Sequence, residues 1–134
     1  MKITGGCHCG KITYEAEISL DNVVICHCTD CQSLSGSAFR TVVFSETDAF
    51  TFLTGEPGVY VKTGDSGNKR EQTFCLNCGS PIYSTSVGDG PKQYGIMLVT
   101  VNQRNLITPK KQKWYGSSQS WTQEIRSLPV TDKQ

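Results

Sequence analysis

Seven cysteines fall in three tight groups, Cys7-His8-Cys9, Cys26-His27-Cys28-Thr29-Asp30-Cys31 and Cys75-Leu76-Asn77-Cys78-Gly79, and no cysteine lies outside them. That grouping constrains the fold more than any other feature. A disulfide framework prefers an even count spread between loops, whereas thiols one to three residues apart can turn their sulfurs toward one ion. Tetrahedral closure then comes from a pair elsewhere in the chain, so a metal ties distant segments together. The N-terminus, Met1-Lys2-Ile3-Thr4-Gly5-Gly6, has no long apolar stretch of the kind that marks a signal peptide, and no apolar run reaches the ~20 residues of a membrane span. We therefore expect a cytoplasmic protein, where thiols stay reduced and clustered cysteines mean metal or redox chemistry. Zinc fits this spacing. The Cys75-x-x-Cys78-Gly79 stretch has the form of a zinc knuckle, and the ferredoxin spacings of an iron–sulfur protein are missing.

Seven does not divide by four. One closed four-cysteine site is structural; three protein ligands with an open position are what catalysis needs. Cys26, Cys28 and Cys31 come from one short segment and form the natural set of three, leaving Cys7, Cys9, Cys75 and Cys78 for the closed site. Other pairings remain open at this stage. So does a histidine: His8 or His27 could complete a Cys₃His site, ligate across clusters, or hydrogen-bond a sulfur from behind.

The rest of the chain reads as mainly β. Ile12, Tyr14, Ala16 and Ile18 alternate with polar residues, the period of a half-buried strand. Further strands are expected at Asn22–Ile25, Ala38–Phe44, Ala49–Leu53, Val59–Lys62, Arg70–Phe74, Pro81–Val87 and Tyr94–Val101, separated by Gly-, Pro- and Asn-containing turns. Helix is confined to one or two short stretches, Thr29–Ser35 with Thr29 as N-cap, and Ser120–Ser127. Strands this short suggest small sheets held together by metal. A chain of 134 residues without a long linker reads as a single domain over 1–134, with 130–134 a loose tail. Tyr14, Phe39, Phe44, Phe50, Phe52 and Phe74 are expected in the core, and Trp114 and Trp121 either cap it or wall a cleft.

Charge argues against a nucleic-acid partner. The total is +1, although the first half (residues 1–67) carries −4 and the second half +5. The densest basic run, Lys110-Lys111-Gln112-Lys113 before Trp114 and Tyr115, reads as a solvated face. Arg40, Lys69 and Arg70 are weaker candidates for holding carboxylates, and the amides of Ser35-Gly36-Ser37 for approaching a ligand.

Three linked motifs, Gly5-Gly6-Cys7-His8-Cys9-Gly10, Cys26-His27-Cys28-Thr29-Asp30-Cys31 with Ser35-Gly36, and Phe74-Cys75-Leu76-Asn77-Cys78-Gly79-Ser80-Pro81, resemble those of the glutathione-dependent formaldehyde-activating (GFA) family, which includes centromere protein V. The resemblance runs in order from about Gly5 to Pro81 and is loose after Val101. It implies a zinc-bearing β-tent of small antiparallel sheets. It implies a structural zinc on Cys7, Cys9, Cys75 and Cys78, and a catalytic zinc on Cys26, Cys28 and Cys31. The implied activity is a carbon–sulfur lyase reaction, joining glutathione as co-substrate to formaldehyde to give S-hydroxymethylglutathione. His27 is our candidate proton donor for that step. The contrasting reading is a non-catalytic, zinc-stabilised module that recruits a macromolecule through an exposed sheet or Lys110–Lys113. No membrane partner is expected, and the oligomeric state is not legible.

Overall fold

A computed structural model describes all 134 residues. Eight strands follow in chain order: β1 (Lys2–Gly6), β2 (Thr13–Cys26), β3 (Arg40–Thr54), β4 (Gly58–Thr63), β5 (Lys69–Phe74), β6 (Pro81–Ser86), β7 (Gly95–Met97) and β8 (Lys111–Lys113). The single α-helix, α1 (Thr29–Ser35), follows β2. Short 3-10 turns occupy Leu98–Thr100, Arg104–Leu106, Tyr115–Ser117 and Ser120–Ser127. No helix is long and apolar enough to cross a membrane.

The architecture is mainly β and antiparallel, and in place of the several small sheets expected it is one continuous eight-stranded sheet in the order β1-β2-β3-β7-β6-β5-β4, with β8 added on β2. β1, β2 and β3 make one half and β4, β5 and β6 the other; three-residue β7 joins the halves, pairing β3 on one side and β6 on the other. The long strands absorb two of the expected runs apiece. β2 merges Ile12–Ile18 with Asn22–Ile25, and β3 merges Ala38–Phe44 with Ala49–Leu53, because irregular register around Ile18 lets the β2–β3 ladder bend instead of breaking. Such bulges add local twist, which suits sheets that must curl around a small core.

Three local outcomes differ from the sequence reading. Strand β1 has little β propensity at its glycines. Gly5 is nevertheless required, because a Cβ there would collide with the Tyr14 ring lying across it. The expected strand Tyr94–Val101 keeps only Gly95–Met97 as strand and then turns in a 3-10 coil over Leu98–Thr100; Ile96, Met97, Leu98 and Val101 are buried as expected, but the turn leaves Val99 exposed. Lys111–Lys113 is no mere solvated face: it pairs in parallel with β2, Val24 opposite Lys111 and Cys26 opposite Lys113.

The main core gathers Ile3, Ile12, Tyr14, Ile18, Val23, Val43, Ile82, Ile96 and Val101, with Cys7 and Cys75 at its margin. Of the six aromatic residues expected there, Tyr14 is fully buried. Phe50 and Phe52 are half-buried and stack with Tyr83 and Tyr94 against the cluster, Phe50 lying 5.0 Å from Tyr14. A smaller group, Val24, Val42 and Met97 with Phe44, lies beneath the three-cysteine segment. These apolar faces fix the sheets; the loops between them present the cysteines.

Candidate metal centres and active site

The loop from β1 to β2 brings Cys7 and Cys9, and the turn from β5 to β6 brings Cys75 and Cys78, so that all four sulfurs lie within 4.8 Å of one another. Cys7 and Cys9 sulfurs are 3.5 Å apart, and Cys9 and Cys75 sulfurs 3.7 Å. The edges of a tetrahedron with metal–sulfur distances of about 2.3 Å are about 3.8 Å long, so the donor set fits a four-coordinate ion. Gly79 holds φ at 77°, the left-handed turn that a knuckle needs, and its amide closes on the Cys75 carbonyl at 2.8 Å. The two loops also join directly, His8 donating its backbone N–H to Ser80 Oγ at 3.0 Å. Hydrogen bonds from the Ser80 side chain and backbone bring the Cys78 thiol down to about 5, and the Lys11 amide lowers Cys9. Both are thereby prepared as thiolate ligands.

The second group is built from one segment. Strand β2 ends at Cys26, and α1 begins just beyond Cys28, whose sulfur accepts the Cys31 N–H at 3.3 Å; Cys28, not Thr29, is the N-cap. The Cys26, Cys28 and Cys31 sulfurs lie within 4.8 Å of one another, with no fourth protein donor in the group. Cys31 is buried, while Cys26 and Cys28 are partly exposed. Cys26 and Cys31 are pushed apart in acidity: the neighbouring Cys31 thiol lowers Cys26, while the same pairing and burial raise Cys31.

Register supplies the charges. Cys26 stands opposite Arg40 on one side and Lys113 on the other. Arg40 is buried; it donates to Cys31 Sγ at 3.2 Å and to Gln72 Oε1 at 2.9 Å. The triplet lines a cavity of about 270 Å³ whose polar wall includes Arg40, Lys62, Arg70, Gln72 and Lys113 and has no acidic residue. Lys62 and Arg70 reach it as a cross-strand pair of β4 and β5. Trp114 completes the rim. This donor set fits a metal ion with one side left facing the cavity.

The sequence of the chain matches the family described as glutathione-dependent formaldehyde-activating enzyme over residues 2–117. The chain belongs to that family. A Rhodobacter sphaeroides protein known from its crystal structure is similar in fold, with a TM-score of 0.60 at 19% identity, covering 82% of this chain and 99% of that one. For this member of the GFA family, the association with formaldehyde-activating chemistry comes with the membership, and the two cysteine groups are where a metal could sit.

The histidines lie elsewhere than expected for ligands or acids. Neither joins a sulfur group. His27 is 2% exposed, its Nε2 bonds Gln112 Oε1 at 2.7 Å, and its ring lies between Phe39 and Tyr115. This ring tethers β8 to the triplet segment; it is not among the residues lining the cavity, and its buried Nδ1 has no hydrogen-bond partner. The amides of Gly36 and Ser37 close α1 on the Gln32 carbonyl instead of facing a ligand, and Lys69 does not line the cavity. Lys62 and Lys113 are the charged cavity residues that sequence reasoning did not assign, while Trp114, offered there as a core cap or a cleft wall, borders the cavity. The basic–aromatic run at 110–115 was visible as a feature, but only the parallel pairing of β8 with β2 directs it to the cavity beside the triplet.

Proposed function

We propose that the protein is a zinc enzyme that joins a small thiol to an aldehyde, with glutathione and formaldehyde as the substrates and S-hydroxymethylglutathione as the product, and that it also catalyses the reverse carbon–sulfur cleavage. Zinc would be held structurally by Cys7, Cys9, Cys75 and Cys78, and catalytically by Cys26, Cys28 and Cys31. The observation that carries this reading is the three-cysteine group facing an acid-free cationic cavity, beside a four-cysteine group that needs nothing more. A zinc ion with an open position keeps a substrate sulfur in its nucleophilic thiolate form.

In the reaction the thiol's sulfur forms a bond to the carbonyl carbon as the carbon–oxygen π bond breaks. The proton lost from the thiol is balanced by one taken up at the new hydroxyl oxygen. Arg70 and Lys113 attract and orient an anionic thiol, with Lys62 held beside them by Asp30, which turns an encounter of two dilute reactants into one of fixed geometry. Arg40 holds the Cys31 sulfur and offsets the negative charge that three thiolates place in a half-buried site. His27 keeps the β8 wall in place, and water at the open side of the cavity supplies the proton. A single domain working in a reducing cytoplasm suits a reaction that consumes free thiol.

The test is the rate of exchange between free and adduct-bound formaldehyde in the presence of glutathione, read by exchange NMR with the metal-loaded protein. We expect acceleration over buffer that disappears in Cys28→Ser. A rate equal to buffer with both sites loaded would overturn the reading and return attention to a recruiting module. That alternative draws less support here, because Lys113 of the basic run lines the cavity.

A further inference from the structure

The strand that walls the cavity ends in an unusual backbone. Two non-glycine residues have positive φ, Asp48 and Trp114. An aspartate adopts this region with little difficulty; a bulky tryptophan is a true outlier there. Trp114 sits at φ 56° and ψ 39°. Its neighbours over-determine that conformation. His27 N–H bonds the Lys113 carbonyl at 3.0 Å, Ser117 N–H the Trp114 carbonyl at 3.0 Å, and Gln32 Nε2 the Ser117 carbonyl at 3.0 Å. Yet the strain serves no core packing, since the Trp114 side chain is 61% exposed. Backbone strain retained without a packing gain clusters at functional sites.

The indole's position says what it could do. It borders two clefts at once, the cationic cavity of about 270 Å³ and a neighbouring cleft of about 360 Å³; Cys28 and Lys62 border both as well. The second cleft is lined by two carboxylates, Asp30 and Asp65, which the first lacks. Asp30 is paired to Lys62 at 2.6 Å, so Asp65 is its unpaired carboxylate. A thiol bound at Cys28 would therefore run along the indole with a basic lobe on one side and an acidic lobe on the other.

We infer that Trp114 is the specificity-determining wall of the site, against which the non-reacting body of an extended zwitterionic thiol packs, its carboxylate end toward Lys113 and Arg70 and its ammonium end toward Asp65. This rests on the enzyme reading above and adds to it the residue that separates a peptide-like thiol from a bare small one. An aromatic face offers such a substrate a large contact at little cost in side-chain order.

The experiment uses metal-loaded protein carrying Trp121→Phe, which leaves Trp114 as the only indole; Trp121 is exposed and outside both clefts. Glutathione should quench or shift Trp114 fluorescence saturably. In Trp114→Ala, the ratio of kcat/KM for glutathione over that for 2-mercaptoethanol should fall about tenfold. Trp114→Gly, which relieves the left-handed strain, should raise Tm while showing the same loss of discrimination, an outcome that a merely structural tryptophan would not give. An unchanged ratio in both variants, with an active parent protein, overturns the inference. A parent that fails to accelerate exchange but still shows saturable quenching removes the enzyme reading and leaves the wall supported.

Discussion

The two cysteine groups use the same atoms for opposite purposes. The four-cysteine group joins loops whose sulfurs come from positions 66 residues apart, Cys9 and Cys75, and its donor set is complete. The three-cysteine group comes from one turn, ties no distant segments together through its sulfurs, and leaves a side open to a cavity. A complete, long-range set contributes to folding; an incomplete, local one leaves an ion available for chemistry. Around the first group the supporting hydrogen bonds come from its own loops, such as Ile12 N–H to Cys7 Sγ at 3.2 Å. Around the second they come from strands on either side, Arg40 of β3 and the β8 tether.

Breaking the four-cysteine set should have the largest effect. Cys75→Ser removes a buried ligand that closes the long-range link, and binding energy at such sites is folding energy. The expected loss exceeds about 5 kcal/mol, enough to leave the chain unfolded, as circular dichroism and analytical gel filtration would show. Cys28→Ser breaks the other set. Its fold should persist with Tm within about 5 °C of the parent, while metal analysis falls by one equivalent and formaldehyde exchange returns to the buffer rate. Equal drops in Tm for the two variants would abolish the distinction.

A subtler change sharpens it. Arg40→Met removes the donor to Cys31 Sγ and leaves Gln72 Oε1 unpaired. Metal affinity of the triplet should fall about 10- to 100-fold, the usual cost of losing a group that supports a ligand from behind, with the four-cysteine ion retained. Competition with a chelator, followed site by site in cobalt-substituted protein, would measure this.

The smallest effect appears in alkali. Burial pushes the Tyr14 phenol up to about 12, against a usual value of 10, with its hydrogen bond to Thr100 acting the other way. The folded chain thus holds this proton more tightly than the unfolded one. Its contribution is full below pH 10 and is lost as pH rises toward 12, about 2 kcal/mol across that window. Denaturant melts in that range should show the decline, and Tyr14→Phe should flatten it.

Some of this was legible in the residues alone. The sorting of seven cysteines into four and three followed from spacing and ligand number, and the structure brings together those same two groups. Strands with clean alternation, such as Tyr14, Ala16 and Ile18 in β2, were readable because one face is buried. The cavity was not. Lys62 and Arg70 meet only through the β4–β5 register, and Lys113 reaches Cys26 through a parallel pairing that a three-residue lysine-rich strand does not announce. His27 was hard to place for a related reason: between two cysteines it reads as chemistry, and only the approach of Phe39, Gln112 and Tyr115 puts its ring against β8 and outside the cavity lining.

That tether has a consequence in time. His27 and Gln112 are 85 residues apart, and β8 begins at Lys111, beyond Cys78, so as the chain leaves the ribosome all seven cysteines emerge before β8 does. Until then the triplet would be an exposed set of thiols on the face of a half-made sheet, open to whatever metal or oxidant the surroundings hold. The last part of the cavity to be synthesised is its β8 wall, and a chain truncated before Lys111 would carry both cysteine groups without Lys113 and Trp114 beside the triplet.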